Sequence, residues 1–124
     1  MRQTTPIIFD VTEENFESAV LDESVQRPVM LVFSTRRYPA CKKLAPMLER
    51  LIKERKGEIL LARVDAEEFP GLASYFQVES VPAVRVIRDR QLILDFAGVY
   101  PEEQLRELLD QLAPSEADHL VTKA

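Results

Sequence analysis

Two short runs constrain this chain more than any other feature. Val29-Met30-Leu31-Val32-Phe33 is continuously apolar, and the run from Ile59 to Val64 is broken only by Arg63. Strands buried on both faces read in this way. Between the runs, Leu44, Met47, Leu48, Leu51 and Ile52 recur at helical spacing. Strand, helix, strand in that order implies a parallel pair joined by a right-handed crossover. An α/β domain is therefore expected, with a central mixed β-sheet and helices on both faces.

The flanking segments extend the pattern. Ile7 to Val11 reads as a short leading strand. Thr12 can cap a helix over 13–22, with Phe16, Ala19 and Val20 as its apolar face. The central helix is expected over 40–55, kinked at Pro46 and stopped by Gly57. Pro70 opens a short helix with Leu72, Ala73 and Phe76 as its apolar positions. Strands over 83–87 and 92–97 form a hairpin around Asp89-Arg90, although that turn lacks the usual glycine. A last helix starts at Pro101-Glu102 and buries Leu105, Leu108, Leu109 and Leu112. The strand count predicts two parallel strands and a C-terminal hairpin. One domain over 1–113 is expected, followed by a tail over 114–124.

Composition removes several function classes. The net charge of −5 disfavours non-specific binding to nucleic acid or to an anionic membrane surface. No apolar run approaches the roughly 20 residues that span a bilayer. Residues 1–6 lack a signal-peptide pattern, so a cytoplasmic location is the default expectation. The single cysteine, Cys41, excludes an intrachain disulfide. One cysteine and one histidine cannot supply a structural zinc site, and no metal or cofactor is expected. No phosphate loop, dinucleotide fingerprint or nucleophile elbow is present. The acidic group Asp65, Glu67 and Glu68 is a weak metal candidate, because hard-metal sites need more oxygen ligands. Arg85, Arg88 and Arg90 read as a solvated edge that discourages strand-to-strand association. His119 reads as a surface residue of the tail.

The punctuation of the chain is more specific than its composition. Phe33 ends an apolar strand, and Tyr38-Pro39-Ala40-Cys41-Lys42 then leads into a helix containing Ala45-Pro46. Pro70-Gly71, Val81-Pro82 and Gly98 follow at later element boundaries. From about Ile7 to Leu112 this resembles the thioredoxin pattern. The resemblance implies a thioredoxin fold, a cis bond at Val81-Pro82 facing the active site, and Cys41 as the second active-site cysteine. It also implies departures. Tyr38 stands where the nucleophilic first cysteine belongs, and Val32 where a buried aspartate would take a proton. Arg63 stands for the lysine paired with that aspartate, and Ser34 and Arg37 for two tryptophans. A narrower resemblance is to the thioredoxin domain of chaperedoxins, co-chaperones in which tetratricopeptide repeats follow. Some of those retain only the second cysteine. A further cysteine used by some members for client capture corresponds to Ala66, so that route is excluded.

Cys41 invites two readings. Arg36, Arg37, Lys42 and Lys43 make its neighbourhood basic, which favours thiolate. Alternatively, it is a shielded small hydrophobe, the ordinary state of a free cysteine, and this reading is preferred. Tyr38 is either a contact ring for an extended peptide or a residue that only caps the helix start. The sequence therefore favours a non-catalytic domain that binds unfolded or extended protein clients. Tyr38, Pro39, Val81, Pro82 and Gly98 would form the groove, and the resemblance adds a chaperone as a partner. The alternative is a monothiol redox protein that forms mixed disulfides through Cys41. A purely structural docking domain is a third reading.

Overall fold

The computed structural model describes residues 6–112. The expected tail over 114–124, with His119, lies outside the described residues. Five strands form one sheet in the order β1-β3-β2-β4-β5. They are β1 (Ile8–Asp10), β2 (Val29–Ser34), β3 (Leu60–Asp65), β4 (Ala83–Arg88) and β5 (Gln91–Ala97). The helices are α1 (Pro39–Glu54), α2 (Pro70–Tyr75) and α3 (Glu102–Leu112). β1 and β2 both pair with β3 in parallel, so three strands run parallel rather than the expected two. β4 and β5 run antiparallel. β1 is only three residues long. Its pairing on β3 is a long-range contact that a local reading of the sequence does not reach.

The sheet is covered on both faces, because its strands alternate between two cores. Met30, Val32, Val84 and Val86 pack with Leu44, Leu48, Leu105 and Leu109 from α1 and α3. Leu31, Phe33, Val64 and Ile87 pack with Val20 and Leu72 on the other side. The five apolar residues of β2 are each at most 4% exposed, as their unbroken apolar run requires.

The segment after β1 differs from the expected helix. Thr12 Oγ1 accepts a hydrogen bond from the Asn15 N–H, and Asn15 Oδ1 accepts one from the Thr12 N–H. This reciprocal cap holds a turn over 12–15. The chain then forms a π-helical stretch (Glu17–Asp22) and a 3-10 turn (Glu23–Val25). That winding delivers buried Ser24 to the β4–β5 turn. Its carbonyl accepts the Asp89 N–H at 2.7 Å, and its hydroxyl accepts the Arg90 N–H at 2.8 Å. Asp89 and Arg90 both have positive φ, 56° and 65°. This is the two-residue hairpin geometry, held without glycine. Ile87 faces Leu92 and Val86 faces Leu94, leaving Ile93 as an extra residue on the outer strand.

The arginine cluster is the solvated edge that the sequence suggested only at Arg90, which is exposed, whereas Arg88 is half-buried and Arg85 buried. β4 is an interior strand, so Arg85 lies under α2 and is only 9% exposed. Arg88 donates to the carbonyls of Ser24 and Val25, and Arg90 to Asp22. These side chains anchor neighbouring backbone and charge.

Candidate functional site

The sheet register sets the strand ends next to the predicted site residues at one end of the sheet. Phe33 near the end of β2 faces Ala83 at the start of β4, and Ala83 faces Ala97 at the end of β5. The loop after β2, the bond before β4 and the residue after β5 therefore converge. The Val81–Pro82 peptide bond is cis. The Gly98 N–H donates to the Pro82 carbonyl at 2.9 Å, joining two of the three segments. Gly98 has φ of +95°, a conformation that favours glycine.

Tyr38 occupies the N-cap position of α1 in extended conformation, and Pro39 takes the first helical position. Proline is pre-set for that place and needs no N–H partner there. The Tyr38 carbonyl accepts the N–H groups of Cys41 and Lys42, at 3.1 and 3.3 Å. Its side chain makes no capping hydrogen bond and is 50% exposed. Tyr38 thus starts the helix with its backbone and leaves its ring in solvent. α1 runs through Pro46 without a break and ends before Lys56 and Gly57, both with positive φ.

Cys41 lies in the first turn of α1 and is 3% exposed. It lines a cleft of about 490 Å³ together with Arg36, Lys42, Arg63, Asp65 and Glu68. Charges in and beside that cleft are partly compensated. Arg63 Nε donates to Asp10 at 2.9 Å, and its Nη1 donates to Glu49 at 3.0 Å. Burial opposes the charged form of Arg63, but the hydrogen bonds to Asp10 and Glu49 raise its pKa overall. Arg37 pairs with Glu67 at 3.1 Å, tying the loop before α1 to the turn after β3. Asp65 Oδ1 accepts the N–H groups of Glu67 and Glu68, so the acidic group builds a turn. Among the described residues, no three Cys, His, Asp or Glu side chains cluster as a metal site.

The other groove residues are graded in exposure. Pro39 is exposed, Val81 and Gly98 are half-buried, and Pro82 is buried. Val99 and Tyr100, directly after Gly98, are 40% and 38% exposed, and the Tyr100 ring lies 5.0 Å from that of Phe96. The sequence reasoning did not single them out, although two large apolar residues directly after the glycine were a visible signal.

A family profile described as thioredoxin matches residues 7–111. This chain belongs to the thioredoxin family. Thioredoxin C-2 of Corynebacterium nephridii is 30% identical over 104 residues, covering 84% of this chain and 94% of that protein. Thioredoxin of Staphylococcus haemolyticus (strain JCSC1435) is 35% identical over 105 residues, covering 84% and 96%. An uncharacterized protein of Mycobacterium tuberculosis is 33% identical over 113 residues, taking in 91% of this chain but 37% of that protein. The fold is the thioredoxin fold, and Cys41 is the only thiol this thioredoxin domain carries. No helix among its described residues is long and apolar enough to cross a membrane.

Proposed function

We propose that this domain is a non-catalytic binder of extended or unfolded protein, of the co-chaperone type. Clients lie along the Val81–Pro82 edge, flanked by Tyr38, Pro39 and Gly98. The observation that carries the reading is the contrast between Tyr38 and Cys41, one ring half exposed and the sole thiol buried. A dithiol reduces a substrate disulfide by closing its own disulfide, which keeps the electron balance within one chain. A single thiol cannot close that cycle, so each mixed disulfide would need an outside thiol for release. The exposed rings and side chains of Tyr38, Val99 and Tyr100 support contact instead. The Mycobacterium tuberculosis relative extends well beyond the matched region. That agrees with a domain that works beside others, as the chaperedoxin resemblance implies, with a chaperone as a further partner. The reading sets the domain in the cytoplasm, where single thiols stay reduced.

The test is suppression of client aggregation by the domain, with Tyr38→Ala and Pro82→Ala for comparison. Suppression that weakens in Tyr38→Ala is expected, with no acceleration of insulin-disulfide reduction over the added reductant. Absence of any effect on aggregation, or turnover of insulin disulfides, would defeat the proposal.

One observation favours a second reading. Cys41 lines a cleft that also has Arg36, Lys42 and Arg63 on its walls, where an anionic thiol such as glutathione would find positive charge. On that reading, Cys41 forms mixed disulfides with glutathione or a partner, and another thiol releases them. Intact mass after incubation with oxidised glutathione decides. An adduct absent from Cys41→Ser supports this reading, and an unmodified protein excludes it.

A further inference from the structure

The cis bond and Gly98 fix one end of the loop that leads into β4. The other end is held by a residue that belongs to no groove motif. Arg85 is buried on β4, yet among the described residues it makes no ion pair. Its guanidinium is satisfied by backbone alone. Nε donates to the Phe76 carbonyl at 3.2 Å, Nη2 to Gln77 at 3.3 Å, and Nη1 to its own neighbour Val84 at 3.2 Å. Phe76 is the C-cap of α2 and Gln77 follows it. A helix C-terminus leaves carbonyls without partners and carries partial negative charge. The planar fork of arginine suits several such oxygens at once.

The same short stretch is fixed in other ways. Gln77 has φ of +57°, and the Val78 N–H donates to the Ala73 carbonyl at 2.8 Å. The Phe76 ring lies 5.7 Å from those of Phe16 and Phe33. Beyond it, Glu79 and Ser80 are exposed and Val81 is half-buried. They bridge from the Arg85-held turn to Pro82, whose carbonyl is held by Gly98.

We infer that Arg85 is the positioning residue for the Val81–Pro82 edge, holding the end of α2 so that residues 79–81 are presented in one arrangement. This rests on the reading of that edge as the client site, and it adds the residue that orders it. A core strand could hold leucine or valine at this position at no electrostatic cost. Burying an arginine against neutral carbonyls requires several good hydrogen bonds to offset its desolvation.

Amide hydrogen exchange on Arg85→Lys and Arg85→Met tests the inference, with Leu109→Ala as a control in the opposite core. A lysine keeps the charge but lacks the fork. Losing a hydrogen bond to a charged group is worth on the order of tenfold in a local opening equilibrium. Exchange of the hydrogen-bonded Phe76, Gln77 and Val78 amides should therefore rise about tenfold or more in both Arg85 variants. β2 and β3 should be unchanged, and Leu109→Ala should not reproduce the pattern. Unchanged exchange at 76–78, or a uniform rise over the whole sheet, would overturn the inference. So would failure of both variants to fold, since Arg85 would then be a requirement of the core. Client-aggregation assays run in parallel keep the two claims separate. If the wild-type domain suppresses no aggregation, the client site fails, and exchange still decides whether Arg85 orders the loop.

Discussion

Cys41 and Tyr38 are three residues apart and lie on opposite sides of the solvent boundary. Spacing placed both at a helix start, and the helix period then turned Cys41 inward with Leu44 and Leu48. A buried thiol reacts through opening of the surrounding structure. Alkylation of Cys41 in the folded protein should run on the order of 100-fold slower than in denaturant, read by mass spectrometry. Equal rates would contradict the burial. Tyr38→Ala should change stability by no more than about 0.5 kcal/mol, because an exposed ring without a hydrogen bond holds little together. Thermal melts check this, and a large loss would reveal a structural role. These two residues were legible because strand, loop and helix punctuation located them. Arg85 was not. Three arginines near a hairpin look alike in sequence, and only the approach of α2 to β4 distinguishes the buried one.

Well-defined polar contacts join the elements of the fold. Ser24 Oγ donates to the Leu21 carbonyl at 2.6 Å and accepts from Arg90, stapling the hairpin turn to the segment before β2. Ser24→Ala strands the Arg90 N–H and should cost about 1–3 kcal/mol in denaturant melts. A neutral result would mean that water replaces the hydroxyl. On the far face, Glu102 opens α3 and joins it to α1. Its carboxylate accepts from Arg50 at 2.7 and 3.1 Å and from Arg106 at 2.8 Å. Those bonds, the Arg50 pair foremost, hold its pKa at about 2, against 4.5 for the free group. The folded state therefore gives up this proton more readily than the unfolded chain does. The contribution is complete above about pH 4.5 and is lost as pH falls toward about 2. Thermal melts in that window should show Glu102→Gln losing less stability on acidification than the wild type, with added salt narrowing the gap. Parallel curves would refute the linkage. α1, α2, α3 and the hairpin were legible from periodicity and proline placement. The π-helical stretch was not, because its winding answers to Ser24 reaching the hairpin and not to any local pattern.

The whole molecule is one sheet with two cores that share its strands. Leu48 packs on the α1–α3 side and Leu31 on the α2 side, both fully buried. Leu48→Ala and Leu31→Ala should each cost about 2–5 kcal/mol. Because β2 and β3 contribute to both cores, fluorescence and circular dichroism should still report one transition in each variant. Separate transitions would mean that the faces unfold independently. The architecture was legible at this scale because an apolar run buried on both sides demands two helical layers. The parallel pairing of β1 was not, as three residues carry little pattern. The edges of the sheet bear on the proposed work of the domain. β1 offers only three residues, and the extra residue Ile93 breaks the regular ladder on β5, where Leu92 and Ile93 are half exposed. Irregular outer strands are poor templates for stacking. On the proposed reading, a domain that meets unfolded chains can thus expose apolar side chains near its rim without seeding fibres of its own.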